Sequence, residues 1–131
     1  MTRRRYISTD ISTDTAVNRV ARASEFAALL YTWMIPHVKD DATITGDPER
    51  LLLKVMPGRR DKEPDDVLAA LELIESEGLF EKWDRRRALI YFDPHKFYLY
   101  QSYIGTGNRR LDPASTLEEL PTLVKNHRKS P

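Results

Sequence analysis

The sequence predicts a mostly α-helical domain with a small β-hairpin, an α+β fold whose elements fall in the order of a winged helix-turn-helix. Three observations lead there. "SEFAALLYTWM" carries apolar residues at the spacing of one helical stripe. Two further helices open on proline, at "PERLLLKVM" and "PDDVLAALELIESE". Two short β-prone runs, "LFEKW" and "ALIYF", then flank "DRRR".

In chain order, Asp14 is placed to cap a short helix through Val17, Val20 and Ala21. Ser24 caps the next. Its Phe26, Leu29, Leu30, Trp33 and Met34 fall at i, i+3, i+4, i+7 and i+8, and the expectation is that all five are buried against Leu52, Leu71 and Ile74. Pro36 ends or kinks this helix, because its ring collides with the carbonyl four residues back. Ala42, Thr43 and Ile44 suit a brief strand, and Gly46 a turn. Asp47 and Pro48 then start a helix: the carboxylate accepts orphan amides and proline loses nothing at the first position. Pro57 and Gly58 stop it, leaving "GRRDKE" as a polar loop. Pro64 opens the next helix and Gly78 closes it. Val67, Ala70, Leu71 and Ile74 form its buried arc, with Leu68 at the edge. Asp65, Asp66, Ala69, Glu72, Leu73 and Ser76 point away.

"DRRR" lacks Gly and Asn, so a loop longer than a two-residue primed turn is expected. Asp93 and Pro94 repeat the Asp-Pro start, for a short helix burying Phe97, Tyr100 or Gln101, and Ile104. Asp112 and Pro113 suit one more, through Leu117 and Leu120. The division expected is a basic N-terminal arm (1–13), a winged-helix domain (14–104) and a flexible C-terminal tail or linker (105–131).

Composition narrows the function classes. The 131 residues suit one domain with one core. The formal net charge is +1, so no global field draws in nucleic acid and any such binding rests on local patches. The chain has no cysteine. That excludes disulfides, thiol catalysis and cysteine-ligated zinc, and it fits a cytoplasmic location. No apolar run approaches a membrane span, and the basic start has no apolar stretch behind it, so no membrane role and no secretory signal are expected. There is no Ser-His-Asp set, paired-carboxylate motif or Gly-rich phosphate loop, so a non-enzyme without cofactor is expected. His37, Asp40 and Asp41 fall short of the three or four fixed ligands a metal needs.

The words "RYIS", "LLYTWMIPHVKDDATITGDP", "VLAALELIESEGLF" and "IYF", in this order, resemble the N-terminal winged-helix domain of phage replication-initiation proteins. These are the replisome organisers, akin in architecture to DnaD-like primosome proteins. The resemblance covers roughly Arg5 to Ile104. It implies binding to double-stranded origin DNA, self-association, or both. A helicase or helicase-loader partner would act through a region not clearly present here.

The candidate DNA contacts are cations. Lys82, Arg85, Arg86 and Arg87 lie at the hairpin. Arginine grips phosphate with two parallel hydrogen bonds. The alternative is a solvated turn that protects a hairpin edge, and the resemblance favours DNA. Asp84 neutralises only one of the three arginines, which have no apparent structural use. Arg59, Arg60 and Lys62 lie between the paired helices, near where a helix-turn-helix meets the DNA backbone. Arg3, Arg4 and Arg5 form the basic arm, which suits a minor groove or nothing; Arg109 and Arg110 are similar. The last long helix argues otherwise. A base-reading helix offers Arg, Lys, Asn or Gln, whereas this one offers acids. Asp66, Ala69, Glu72 and Leu73 look instead like a protein-interaction face. Weak sequence selectivity, with contacts mainly to phosphate, is therefore expected. The aromatic group Phe97, Tyr98, Tyr100 and Tyr103 is read as packing rather than base stacking. The rival functions are an oligomerisation or protein-interaction module of a replisome assembly, and a winged-helix transcriptional regulator.

Overall fold

The computed structural model describes residues 4–111. Local capping explains where its helices start. The Asp14 carboxylate accepts from the Val17 amide at the head of α1 (Thr15–Ala23). Ser24 does the same for Ala27 in α2 (Glu25–Met34), and Asp47 for Arg50 in α3 (Pro48–Val55). In α4 (Pro64–Ser76) the Asp66 carboxylate turns back to the Glu63 amide at 2.8 Å. Asp93 caps α5 (Pro94–Tyr100) through the His95 amide. α4 ends at Gly78, whose φ of +74° is a left-handed conformation that costs glycine little. α2 passes into a 3-10 turn at Ile35–His37, around Pro36. The expected helix after Asp112 lies outside the described residues.

The strands are β1 (Thr43–Thr45), β2 (Lys82–Asp84) and β3 (Leu89–Tyr91). They form one antiparallel sheet in the order β1-β3-β2. The protein is thus mostly helical with a small sheet, an α+β fold. Ile44, Ile90 and Trp83 lie side by side across the three strands and all are buried. Gly46 is needed beside them. A Cβ there would sit 2.7 Å from the Trp83 indole nitrogen and 3.1 Å from Ile90, closer than packed atoms approach.

The core joins Val20, Leu30, Met34, Leu51, Val67, Leu71 and Ile74 to the sheet. The arc expected of α4 is the one observed: Val67, Ala70, Leu71 and Ile74 are buried. The stripe expected of α2 is not. α2 packs on α1 and α4 and buries Ala27, Leu30 and Met34, while Phe26 and Leu29 lie at the core edge and Trp33 is 43% exposed. Nearly every residue of α2 is apolar, so periodicity offers more than one face, and its neighbours choose.

Tyr31 leans the other way, its ring stacked on Phe92 at 6.1 Å. Burial, helped by Asp14 and Tyr100, pushes its phenol up to about 12. The raised value means that the native state holds the proton after the unfolded chain has lost it. This contribution is fully present below the ordinary tyrosine value of about 10 and is lost as pH rises toward 12, at most roughly 3 kcal/mol. The stability of wild type relative to Tyr31→Phe should therefore be constant below about pH 10 and move against wild type above it. A difference that stays flat through this window in urea titrations would contradict the burial of the phenol.

Both flanks of the expected domain are fastened to its body. Gln101 is buried, and its side-chain amide clasps Tyr6 both ways, donating to the carbonyl (2.7 Å) and accepting from the amide (2.9 Å). The segment 105–110 is fastened by arginines. The Arg109 guanidinium donates to the carbonyls of Ile104 and Ser102. That of Arg110 reaches the carbonyls of Asp41 and Phe92 and the Glu81 carboxylate. Residues 105–110, expected to belong to a flexible tail, thus bond to the body of the domain; the rest of that tail, 112–131, lies outside the described residues.

Candidate nucleic-acid interface

The hairpin loop is built by its own first residue. Arg85–Ala88 form a four-residue turn between Asp84 and Leu89, which pair across the strands. The Asp84 carboxylate accepts from the Arg87 amide at 3.1 Å, and Ala88 takes a left-handed φ of 52°. This is the longer loop that the lack of Gly and Asn predicts.

The three arginines have different fates. Arg85 turns back onto α4, where it donates to both Glu75 carboxylate oxygens (2.9 and 3.3 Å). It also lies 3.8 Å over the Trp83 ring, and its bond to Glu75 raises its pKa. The reason lies in α4. Glu72, Glu75 and Glu77 crowd the negative end of its dipole, and its last turn has no basic residue of its own. Arg85 and Arg19, the latter 3.6 Å from Glu77, bring the missing cations. The expectation that these arginines lack a structural use is thus corrected for Arg85. Arg87 stays mostly exposed, its guanidinium 3.7 Å from Asp84. Arg86 is exposed and makes no ion pair among the described residues. Lys82 is half-buried on β2.

Arg59 and Lys62 are partly committed as well. Arg59 forms a two-bond pair with Asp61, both at 2.9 Å, and this bond is the main reason the Asp61 carboxyl falls to about 2. Arg59 and Lys62 also lie over the Phe26 ring, at 5.6 and 4.7 Å. Arg60 is exposed. The two basic loops are not brought together. One precedes α4 and the other meets Glu75 in its last turn, so they stand roughly 18 Å apart along the helix axis at about 1.5 Å per residue.

The structure adds a cation that sequence reading missed. The Gly46 amide donates to the Ala88 carbonyl at 2.8 Å, so α3 begins beside the hairpin loop. Arg50, in the first turn of α3, is 81% exposed and only 3.9 Å from Asp47. The strand pairing that brings them near spans more than forty residues, beyond any local pattern.

The basic arm is different. Arg3 lies outside the described residues. Arg4 is exposed, and its carbonyl accepts from the Tyr103 hydroxyl. Arg5 is not a free contact: its side chain is 2% exposed and donates to the Val38 carbonyl, Asp40 and Tyr103. Burial opposes its charge, but the bonds to Tyr103 and Asp40 prevail and raise its pKa. Its assignment to DNA is corrected on that ground. In the acidic face of α4, Asp66 serves as a cap and Ala69 and Glu72 are exposed. Leu73 is half-buried and packs on the core, so it does not point outward as expected. Phe97 and Tyr98 are buried, and Tyr103 is held by Arg5.

Among the described residues no group of three or more His, Asp or Glu is placed to hold a metal, and no helix is long and apolar enough to cross a membrane. Comparison with protein-family models, curated proteins and solved structures finds no match.

Proposed function

We propose that this chain is a winged-helix DNA-binding module that grips duplex phosphates with little sequence selectivity. The observation that carries the reading is the hairpin loop, with Arg86 and Arg87 exposed at its tip and Arg50 starting a helix beside it. The element order supports it: one strand, a helix pair, then a hairpin whose second strand sits between the other two. A duplex spreads its phosphates along both edges of a major groove about 12 Å wide, so cations at opposite ends of α4 suit contacts on either side of it. The acidic exposed face of α4 offers no donor for base edges, which supports phosphate-led binding. On its resemblance to replisome organisers the module serves replication initiation, in a cytoplasmic setting. A helicase or helicase-loader partner and self-association follow from the same resemblance.

The test is a titration with duplexes of unrelated sequence at several salt concentrations. Dissociation constants near 10⁻⁴–10⁻⁶ M are expected, about equal among sequences, with log affinity falling linearly with log salt. A preference above roughly a thousandfold for one site would instead mark a sequence-reading regulator.

A further inference from the structure

We propose that the cleft between the N-terminal segment and α5 is a docking site for a basic peptide, one that carries an apolar side chain beside lysine or arginine. Its lining includes no residue of the hairpin loop 85–88, and the proposal does not depend on whether that loop binds DNA.

The cleft has a volume of about 550 Å³. Its floor is aromatic, from Tyr31, Phe92 and Phe97. Exposed apolar side chains stand at its lips: Ile7 and Leu99, at 43% and 66% exposure, beside Tyr100. The Gln101–Tyr6 clasp holds its N-terminal wall, so the space is preformed. Preformed concave sites with an apolar floor and a few polar groups are where ligands bind.

Charge selects the ligand. Asp10, Asp14, Glu81 and Asp93 line the cleft, against Lys96 and a histidine, His95. Glu81 is shared with Arg110, Asp14 and Asp93 each accept one helix-cap amide, and Asp10 accepts from the Tyr100 hydroxyl at 3.4 Å, so the lining still holds more acidic than basic side chains. Phosphate is repelled from such a rim, whereas lysine and arginine are drawn to it. The Tyr31 hydroxyl makes no hydrogen bond among the described residues and lies near enough to Asp14 and Tyr100 to feel both. It offers a peptide a polar contact in the apolar floor.

Shape selects a peptide over a compact cation. The lining follows α5 from Asp93 to Gln101, roughly 12 Å at about 1.5 Å per residue. That matches about four residues of extended chain at about 3.3 Å each. Alternate side chains of such a strand would face the aromatic floor, and the others would meet the carboxylates.

The experiment is fluorescence anisotropy on the full chain with a labelled Gly-Leu-Lys-Phe-Arg-Gly peptide and its charge-reversed counterpart, in which Glu replaces Lys and Arg. Saturable binding of the basic peptide only is expected. The triple variant Asp10→Asn, Asp14→Asn, Asp93→Asn removes the charge while asparagine keeps the two helix caps. It should weaken binding severalfold, up to about tenfold, as charge pairs to the peptide's two cations allow. Leu99→Arg, at an exposed position, should weaken it too and serves as the second variant if the first unfolds. No saturation with the basic peptide, equal binding of the acidic one, or unchanged binding in a folded variant overturns the proposal. So does a concentration-dependent dimer that the triple variant dissolves, since the cleft then holds a second copy of this chain.

Discussion

Leu30→Ala should destabilise the fold by roughly 2–5 kcal/mol, while Trp33→Ala, three residues on, should cost less, roughly 1–2 kcal/mol. Leu30 is wholly buried between α1, α4 and the rest of the core, and truncation leaves a cavity that its neighbours fill only in part. Trp33 is larger and by size alone would be the costlier loss. Its 43% exposure reverses the order, because much of its surface already meets water. Urea denaturation of both variants checks this. A Trp33→Ala loss above that of Leu30→Ala would mean that α2 is turned from the face described by about 60°, the angle that separates residues three apart on a helix.

Arg110→Ala should cost roughly 3 kcal/mol, far more than a surface arginine. Its guanidinium, 9% exposed, bonds the carbonyls of Asp41 (3.0 Å) and Phe92 (2.7 Å), pairs with Glu81 (3.3 Å), and lies over the Tyr91 ring. Removing it strands those acceptors away from water. Arg110→Lys keeps the charge but not the fork of donors, so it should recover only part of the loss. A change within about 0.5 kcal/mol for Arg110→Ala would show that residues 105–110 are not fastened to the body.

Much of this architecture is legible in the sequence because its signals are local. Asp14, Ser24, Asp47 and Asp93 each cap a helix within three residues of themselves, and Pro48, Pro64 and Pro94 stand at first turns. The arc of α4 is legible because its apolar residues keep to one side. α2 is apolar nearly all round, so its buried face is set by tertiary neighbours. The candidate site is legible as a set of cations but not as an arrangement. Arg5 and Arg110 look like free charges until the chain folds and brings carbonyls 33 and 69 residues away within reach. Arg85 looks like its two neighbours until Glu75, ten residues back, takes it. Arg50 gains interest only because β1 pairs with β3 and sets α3 beside the hairpin.

The central claim, a phosphate-gripping hairpin loop, is tested most directly by replacing Arg85, Arg86 and Arg87 with Ala and measuring duplex affinity across a range of salt. Stability should shift little: these are surface positions, and the exposed Arg85–Glu75 pair is worth under about 1 kcal/mol. Affinity should fall similarly for all sequences. The slope of log affinity against log salt should flatten by about 2 units, at about 0.9 for each phosphate no longer neutralised, with Arg86 and Arg87 supplying most of it because Glu75 holds Arg85. An unchanged affinity and an unchanged slope in the folded variant would contradict the claim and leave the three arginines as a solvated turn.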